Sequence, residues 1–484
     1  GLIEFFDYDF GDTFTATVTD RSLVDFNGSL GLDPAQLQAF LDGFSIGSVT
    51  PPSGAGNGQV PWTYALVNDA LDFLADGELV VLSFDVTVTD GTTSVVTTVT
   101  INVTGTNDGP SVVGGVFEGS VTEDSASDLV GASLETTGAF AFDDADWSDV
   151  HTVSRVTPAG GNALGGVLVA TVGTAATGAA VGEVTWTYTV SNAATQHLGA
   201  GDSVEERFTV RVSDGRGGFV DQVVVVTVHG TNDAPVLTSS SGGFEERADT
   251  SLSFEARTVT GEMAFTDVDL SDVGHAAAVT GVSLGGEDDV LALLGADVLR
   301  DLLQITSVTK DAGDAGGVVK WSFSAPDALF DYLTSTQSVT LTYTVELDDG
   351  DGGVTTSEVV ITVQGTNDRP QFLAGAVRLG IENLVEDFSG TLVFTDLDLD
   401  DDGHVASVAA PTASGRTAGL DLDALAGSLT VTGLSTGENR PGGTVSWRFD
   451  AADGAFDYLA AGERVTLAYE VTLDDGNGGT DTTT

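Results

Sequence analysis

The chain carries two sequence markers that recur together. A tryptophan stands in "VPWTY", "VTWTY", "VKWSF" and "VSWRF", at successive spacings of 124, 135 and 126 residues. An aspartate before glycine stands in "VTDG", "VSDG", "LDDG" and again "LDDG", with the same three spacings. Two markers that shift in step over four copies predict four homologous units rather than one large domain. The marker residues are Trp62, Trp186, Trp321, Trp447, Asp90, Asp214, Asp349 and Asp475.

A third marker predicts where one unit passes into the next. "GTNDGP" at 105–110, "GTNDAP" at 230–235 and "GTNDRP" at 365–370 are called linkers A, B and C below. They divide the chain into repeat 1 (1–106), repeat 2 (107–231), repeat 3 (232–366) and repeat 4 (367–484). We expect repeat 1 to be truncated at its N-terminal side and repeat 4 at its C-terminal side, since each lacks a stretch that the inner repeats contain.

Hydrophobic residues alternate within each repeat. "LSFDVTVTDG" places Leu82, Phe84, Val86 and Val88 on one face of an extended segment. A period of two over eight residues predicts a half-buried strand, and short strands with Gly-rich turns predict antiparallel β-sandwiches. The repeating tryptophans lie in such strands, so we interpret them as core anchors rather than as platforms for sugars.

Two stretches predict helices within this β pattern. "LDPAQLQAFLDGF" has Asp33 as an N-cap and Pro34 at the first helical position. "DDVLALLGADVLRDLL" predicts a longer version of this helix in repeat 3.

The charge of the chain is strongly one-sided. It has 73 Asp and Glu residues against 16 Lys and Arg, a net charge of −57, and no cysteine. Such a surface repels nucleic acid and anionic membranes, so neither a nucleic-acid partner nor membrane insertion is expected. It also repels itself, which bound divalent cations would offset. The sequence shows none of the nucleophile, zinc or phosphate motifs of enzymes, and a non-enzymatic role is expected.

A motif Asp-x-Asp-x-x-Asp recurs in loops after apolar strands. Carboxylates this close repel one another unless a cation lies between them. Oxygen ligands without His or Cys favour Ca²⁺ over Mg²⁺, which prefers to keep its waters. The predicted ligands are Asp7, Asp9, Asp144, Asp146, Asp267, Asp269, Asp396 and Asp398. The third acids could be ligands or could only cap the loop: Asp12, Asp149, Asp272 and Asp401.

Strand order predicts which loops meet. In a sandwich whose chain enters at one pole and leaves at the other, the Asp-x-Asp loop and the Asp-Gly turn share the entry pole with the preceding linker. The predicted groups are Asn107 and Asp108 with Asp144, Asp146 and Asp214; Asn232 and Asp233 with Asp267, Asp269 and Asp349; and Asn367 and Asp368 with Asp396, Asp398 and Asp475. Asp90 holds the corresponding turn of repeat 1. His151, His275 and His404 follow these loops, and we expect strand-start hydrogen bonds from them rather than metal ligation.

Trp-Thr-Tyr, Ser-Asp-Gly-x-Gly-Gly and Gly-Thr-Asn-Asp-x-Pro occur in fixed order, and in this the chain resembles the VCBS repeats of giant secreted (RTX-type) bacterial adhesins. The resemblance covers essentially the whole chain. It implies an all-β tandem array of Ig/cadherin-like sandwiches joined by short calcium-binding linkers.

The resemblance also implies further ligands: Asp76 and Glu78 at linker A, Asp202 in repeat 2, where Glu205 is spaced differently, and Glu123 and Glu246 near a first strand. In repeat 4 the residue that corresponds to Glu123 and Glu246 is either Glu382 or Glu386. Where repeat 1 has Asp76 and Glu78, repeat 3 has "TSTQSV" and no acid, so linker C is expected to bind fewer or weaker ions.

The resemblance, together with the one-sided charge, implies a structural extender of an extracellular bacterial adhesin or fibre, stiffened by Ca²⁺ at its linkers and supporting adhesion and biofilm formation. The expected partners are neighbouring repeats and, in a fibre, other copies of the chain. One alternative is a carbohydrate- or protein-binding module, with Trp147 and the insertion at 286–304 as its contact candidates. Another is a self-assembling filament subunit, in which a neighbouring chain's strand completes a truncated repeat.

Overall fold

The structure is a computed structural model that describes residues 1–9, 11–28, 32–53, 57–123, 131–177, 180–249, 254–287, 289–375, 378, 380, 387–436 and 441–484. It divides into two compact units, Gly1–Thr231 and Asn232–Thr484. Each unit is described by itself below.

Unit 1 contains the residues of repeats 1 and 2. Repeat 1 has β1 Leu2–Phe5, β2 Thr15–Phe26, α1 Pro34–Asp42, β3 Phe44–Ile46, β4 Gly58–Tyr64, a 3₁₀ turn Asn68–Ala70, β5 Leu79–Thr89 and β6 Ser94–Thr104. Repeat 2 has β7 Ser111–Gly115, β8 Glu118–Thr122, β9 Ser133–Asp143, β10 Thr152–Pro158, β11 Val167–Thr174, β12 Gly182–Ser191, α2 Asn192–Thr195, β13 Ser203–Ser213 and β14 Phe219–His229.

Unit 2 contains the residues of repeats 3 and 4. Repeat 3 has β15 Val236–Leu237, β16 Ser240–Glu245, β17 Ala256–Thr266, β18 Ala276–Gly286, a 3₁₀ turn Leu291–Leu294, α3 Ala296–Arg300, β19 Leu303–Lys310, β20 Gly316–Pro326, a 3₁₀ turn Asp327–Leu329, β21 Ser338–Asp348 and β22 Val354–Gln364. Repeat 4 has β23 Gln371–Phe372, β24 Asp387–Thr395, β25 Val405–Val408, β26 Thr412–Gly415, α4 Leu422–Leu425, β27 Leu429–Thr436, β28 Gly443–Asp450, β29 Val465–Ala468, β30 Val471–Asp474 and β31 Thr480–Thr483.

Among the described residues the strands form small sheets, two in each of repeats 1 to 3 and three in repeat 4, and repeats 2 and 3 share one topology. The sheets of repeat 2 run β11-β12-β9-β7 and β10-β13-β14-β8, and those of repeat 3 run β19-β20-β17-β15 and β18-β21-β22-β16. The pairs are antiparallel except that the last strand lies parallel to the second, as β14 with β8 and β22 with β16. Strands hold 53% of the residues and helices 7%, which confirms the predicted all-β class.

The predicted alternation places one face of each long strand in a core. Leu82, Phe84, Val86 and Val88 of β5 are at most 3% exposed. Each repeat has its own cluster of buried apolar residues between its sheets. Burial on this scale is the main source of folding free energy in a small sandwich.

The tryptophans are core residues, as predicted. Trp186 and Trp321 are 1% exposed, Trp447 is 7% exposed, and Trp62 is half-buried. A glycine faces the ring on the neighbouring strand in three repeats, because a larger residue would collide with it. The facing pairs are Gly138 with Trp186, Gly261 with Trp321 and Gly390 with Trp447. A Cβ at Gly261 would lie 2.3 Å from the ring of Trp321.

A tyrosine and a phenylalanine face each other across each core. In repeats 1 and 2 the tyrosine follows the repeating tryptophan, and in repeats 3 and 4 it lies in the segment that leads to the Asp-Gly turn, with the phenylalanine in the other place. Their ring centroids are 5.8–6.2 Å apart, in Tyr64–Phe84, Tyr188–Phe208, Phe323–Tyr343 and Phe449–Tyr469. Three hydroxyls donate to a carbonyl of the helical segment: Tyr64 to Phe40, Tyr343 to Leu299 and Tyr469 to Leu425. The described residues of repeat 2 include no equivalent helix, and Tyr188 donates instead to the buried carboxylate of Glu206 at 2.7 Å.

The helix over Pro34–Asp42 has the predicted N-cap. Asp33 accepts from the N–H groups of Ala35 and Gln36, and Gln36 closes a capping box by accepting from the N–H of Asp33. The longer helix predicted in repeat 3 is instead broken into a 3₁₀ turn and α3, because Gly295 has φ +81° between them. Within the described part of the chain, every helix falls short of the length and apolar character that a membrane-spanning helix needs.

Candidate metal centres

The acidic loops follow directly from strand ends. Strands β9, β17 and β24 end one residue before Asp144, Asp267 and Asp396, and strands β13, β21 and β30 end one residue before Asp214, Asp349 and Asp475. Each pair of loops therefore lies at the pole where the preceding linker enters its repeat.

Each linker asparagine is fixed on the aspartate of the Asp-Gly turn. Its side-chain amide donates to that aspartate's Oδ2, at 2.9 Å for Asn107 to Asp214 and at 3.0 Å for both Asn232 to Asp349 and Asn367 to Asp475. This contact fixes the direction of the amide oxygen. No donor among the described residues reaches the buried Oδ1 of Asn107, Asn232 or Asn367. In all three linkers the amide oxygen of the asparagine is therefore buried without a hydrogen-bond donor among the described residues.

Each linker aspartate binds the second acid of the Asp-x-Asp motif. Its main-chain N–H donates to Oδ2 of that acid: 2.7 Å from Asp108 to Asp146, 2.7 Å from Asp233 to Asp269 and 2.9 Å from Asp368 to Asp398. The second acids are nearly inaccessible, with exposures of 0% for Asp146 and Asp269 and 3% for Asp398. Their Oδ1 atoms meet no hydrogen-bond donor in the described part of the chain. A buried carboxylate oxygen without a donor is costly, and a cation would satisfy it.

The first acid of each motif is held by a histidine. Nε2 of His151, His275 and His404 lies 2.9, 2.6 and 2.8 Å from Oδ2 of Asp144, Asp267 and Asp396. The other oxygen accepts the N–H of the second acid, at 3.0–3.2 Å. Each histidine directly precedes a strand, as the sequence predicts, but its partner is the carboxylate. The histidine therefore orients a candidate ligand.

The third acids belong to the same clusters. Asp149, Asp272 and Asp401 are 5%, 6% and 7% exposed. Carboxylate oxygens of Asp144, Asp149 and Asp214 all lie within 4.8 Å of one another. Oδ2 of Asp272 and of Asp401 finds no donor among the described residues. These positions, left open by the sequence, join the candidate ligands.

Linker C has a second group of acids on its upstream side. Oxygens of Glu246, Asp327 and Asp331 lie within 4.8 Å of one another. Glu246 accepts the N–H of Thr366 in linker C at 2.7 Å, and Asp368 accepts the N–H of Asp249. Oε2 of Glu246 and Oδ1 of Asp331 have no donor within the described residues.

Two of these acids were not predicted from the sequence. Gln337 stands where repeat 1 has Glu78, as the sequence indicates, and accepts the N–H of Thr334 at 3.0 Å. The acids of linker C come instead from the preceding turn, at Asp327 and Asp331. An acid recurs at the latter position in "NDALDFL", "PDALFDYL" and "DGAFDYL", a signal that could have revealed it.

The other ligands implied by resemblance have mixed positions. Glu78 is 6% exposed and lines a small void with Phe73, Trp147 and Ser148 at linker A. The side chain of Asp76 is exposed, and only its carbonyl faces repeat 2. Asp202 is half-buried and accepts the N–H of Gly199 at 3.3 Å. Glu123 is 4% exposed and accepts the hydroxyl of Thr231 at 3.5 Å. Glu382 and Glu386 lie outside the described residues.

The acidic loop of repeat 1 is more open. Oxygens of Asp7, Asp12 and Asp90 lie within 4.8 Å of one another, whereas Asp9 is exposed and donates its N–H to Asp7 at 2.7 Å. The N–H groups of Thr93 and Thr92 hold the pKa of Asp90 well below its usual range.

Burial changes the ionisation of the acids at the linkers. It raises the pKa of Asp146, Asp269 and Asp368 to about 7, and that of Asp398 to about 8, with repulsion from neighbouring carboxylates adding to the effect. These groups resist full ionisation unless a cation is present. The donor set consists of carboxylate and amide oxygens, which fits Ca²⁺.

Trp147 contacts the neighbouring repeat and is not a free surface residue. Its ring packs on Phe73 of repeat 1 with centroids 5.1 Å apart, and the main-chain N–H of Trp147 donates to the Phe73 carbonyl at 3.4 Å. In repeat 4, the N–H of Leu399 donates to the carbonyl of Tyr332 of repeat 3 at 3.4 Å. The ring of Trp147 thus helps to join two repeats while its side chain stays half-buried, and its role as a contact for an external ligand stays a prediction.

Comparisons with known proteins give only distant likenesses. No protein-family model matches the chain, and no curated protein matches it. Among solved structures, the protocadherin γB4 extracellular domain is 14% identical with a TM-score of 0.33, covering 91% of this chain and 60% of its own. Protocadherin γB2 cadherin domains 1–5 are 12% identical with a TM-score of 0.38, covering 100% and 75%. An endo-fucoidan hydrolase of glycoside hydrolase family 107 is 16% identical with a TM-score of 0.19, covering 72% and 39%. Overlaps with TM-scores this low establish no common ligand or function.

Proposed function

We propose that this chain is a structural extender of a large extracellular bacterial adhesin or fibre, in which Ca²⁺ bound at the linkers joins successive repeats. The observation that carries the proposal is the set of buried oxygens without donors at each linker. At linker C they come from repeat 3 (Glu246 and Asp331), from the linker (Asn367 and Asp368) and from repeat 4 (Asp398 and Asp401). A cation held by this set would bind both repeats at once.

The electrostatics give the cation a mechanical role. Without it, the acids of two repeats repel one another across a linker of a few residues, and the linker acts as a hinge. With Ca²⁺ bound, the charge is offset and the two repeats are fixed relative to each other. The chain's own residues already prepare this state, because the asparagine, the linker aspartate and the histidine hold the candidate ligands in position.

The extracellular bacterial setting rests on the sequence resemblance and on charge. The VCBS-like motifs point to secreted bacterial adhesins, and a role in adhesion and biofilm formation follows from them. A chain with a net charge of −57 folds best where divalent cations are abundant. An enzymatic role is disfavoured because the acids recur at repeat junctions instead of forming a single cleft.

Small-angle scattering of the chain with Ca²⁺ and with chelator tests the proposal. We expect a larger maximum dimension and less flexibility with Ca²⁺. A double variant, Asp146→Asn with Asp398→Asn, should resemble the chelated protein at moderate Ca²⁺. Identical scattering profiles with and without chelator would rule out the extender mechanism.

A protein-binding role for repeat 3 is a second candidate. The insertion at 286–304 leaves Leu293 86% and Val298 52% exposed. A pocket of about 230 Å³ lies nearby, lined by Leu291, Leu294, Tyr332 and Leu397 among others. Exposed apolar patches often mark contact sites. Replacing Leu293 and Val298 by Ser should abolish capture of a protein ligand in a pull-down with the intact chain, and an unchanged result would exclude the patch.

A further inference from the structure

The turns that begin at the repeating Asp-Gly step differ at their third position. The N–H of this residue donates to Oδ1 of the turn aspartate at 2.6–2.8 Å in every repeat. The four backbones are therefore fixed alike, and only the side chain changes. The third residues are Thr92, Arg216, Asp351 and Asn477, which supply a hydroxyl, a cation, an anion and an amide.

Arg216 fills a space beside the acids of repeat 2. Its Nε lies 2.5 Å from Oδ1 of Asp149, whose side chain is fully buried. Its Nη2 donates to the hydroxyl of Ser148 at 3.3 Å, and its Nη1 donates to the carbonyl of Asp76 in repeat 1. One guanidinium thus neutralises an acid of the cluster and at the same time joins repeat 2 to repeat 1.

Repeats 3 and 4 have no such cation at this position. In repeat 4, the amide of Asn477 donates to Oδ1 of Asp401 at 2.7 Å, which orients that acid without neutralising it. In repeat 3, Asp351 adds a negative charge beside Asp272, and Lys310 donates to the carbonyls of Asp269 and Asp272 at 2.7 Å each.

We infer that the third residue of the Asp-Gly turn sets the affinity of each acidic cluster for Ca²⁺, and that Arg216 performs part of the cation's role at linker A. This inference rests on the proposed function. Arg216 competes for Asp149 and repels an incoming divalent ion, whereas Asp351 attracts one. In repeat 3 the charge of Lys310 opposes that of Asp351, so the expectation is that repeat 2 has the lowest affinity of the three. Linker A should also keep more of its contact with repeat 1 when Ca²⁺ is removed.

Ca²⁺ titration of the full chain tests this inference, with tryptophan emission as the reporter. Trp147 lies between Asp146 and Ser148 and packs on Phe73, so its emission reports on linker A. Removing one positive charge beside a divalent ion should raise affinity about tenfold. Arg216→Asn should therefore lower the Ca²⁺ midpoint by about tenfold. Arg207→Asn is the matched control, because Arg207 is an exposed residue of repeat 2 that pairs with Glu205.

Two further measurements separate charge from contact. In chelator, Arg216→Asn should make Trp147 more accessible to acrylamide than in the unmodified chain, and Ca²⁺ should remove the difference. Arg216→Lys keeps the charge and should keep the midpoint near that of the unmodified chain. If Arg216→Asn fails to fold, the reciprocal change Asn477→Arg, followed by calorimetry, should weaken one class of site about tenfold.

The outcomes are distinguishable. If the unmodified chain binds Ca²⁺ but Arg216→Asn and Arg207→Asn give the same midpoint, the inference is wrong and the proposed function stands. If Arg216→Lys behaves like Arg216→Asn, charge is not the cause and the inference is also wrong. If the unmodified chain gives neither an emission change nor heat with Ca²⁺, the proposed function fails and the inference fails with it.

Discussion

The side-chain amide of Asn367 donates to Oδ2 of Asp475 at 3.0 Å, across 108 positions of sequence. This bond turns the amide oxygen of Asn367 away from Asp475, where no donor among the described residues meets it. The same relationship holds for Asn107 with Asp214 and for Asn232 with Asp349. Under the proposed function, the linker asparagine would serve two partners, the turn aspartate through its amide N–H and a cation through its oxygen, which would account for the faithful repetition of this loop motif.

Replacing Asn367 by alanine should weaken both stability and ion binding. Loss of the hydrogen bond to Asp475 should cost about 1 kcal/mol without Ca²⁺. The loss should be larger with Ca²⁺, because an oxygen ligand is removed as well. Denaturant unfolding with and without chelator measures both terms. Asn477→Ala is a useful comparison, since it removes an amide that contacts Asp401 but offers no linker oxygen. Equal losses in the two conditions would show that Asn367 has only a structural role.

The chelated protein should become less stable as the pH rises. Burial raises the pKa of Asp146 to about 7 and that of Asp398 to about 8, above the value of about 4 expected when unfolded. A raised pKa favours the folded state at low pH, and this contribution is lost as the pH passes through the folded value. In chelator, the melting temperature should fall between about pH 4, the unfolded value, and about pH 8, the folded value of Asp398.

Saturating Ca²⁺ should reverse this trend, because the ligands must be ionised to bind the ion. Asp398→Asn should flatten the curve measured in chelator. A melting temperature that rises with pH in chelator would contradict the assignment of these carboxyls as buried and strained.

Replacing His275 by phenylalanine should lower Ca²⁺ affinity without removing a ligand. His275 holds Oδ2 of Asp267 at 2.6 Å, and loss of such a supporting bond typically costs about 10–100-fold in metal affinity. Calorimetry on the full chain gives the affinity, and circular dichroism checks the fold. His229→Phe is the control, because His229 is an exposed residue at the end of β14. Unchanged Ca²⁺ binding in His275→Phe would remove histidine from the site.

Replacing Gly261 by alanine should destabilise repeat 3. The added Cβ would lie 2.3 Å from the ring of Trp321, and overpacking of this kind costs about 1–3 kcal/mol. Gly285→Ala is the matched control, since it lies in β18 of the same repeat and its Cβ would meet no atom within 4 Å. Thermal unfolding of the two variants should differ by several degrees. Equal melting temperatures would mean that the Trp321 ring has room to shift.

Local patterns in the sequence were enough to predict the strands, the N-cap at Asp33 and the pairing of linker with loop. Alternation and turn chemistry are local properties, and strand order then fixes the pole at which each loop lies. Asn107 could therefore be predicted to meet Asp214 from the order of strands alone.

The sequence was less informative about which of several possible partners a side chain contacts when those partners come from distant segments. Nothing local says that His275 binds a carboxylate in preference to a backbone group, or that Asp331 turns towards Glu246. The acidic loop around Trp147 likewise does not say that Phe73 of the neighbouring repeat packs on its ring and leaves it half-buried. In the insertion of repeat 3, the positive φ of Gly295 ends the 3₁₀ turn Leu291–Leu294 before α3 begins, although the helix propensity of the segment favours one continuous helix.

The exchange of tyrosine and phenylalanine between facing strands limits how these repeats can be recombined. Repeat 2 has Tyr188 on β12 and Phe208 on β13, whereas repeat 3 has Phe323 on β20 and Tyr343 on β21. A genetic crossover between these strands would produce a hybrid with either two hydroxyls or none in its core. Duplication or deletion of a whole repeat leaves each Tyr–Phe pair intact, while hybrids joined at this point inherit a packing defect. Tandem arrays of this kind should therefore evolve by changes in the number of repeats more readily than by recombination within a repeat.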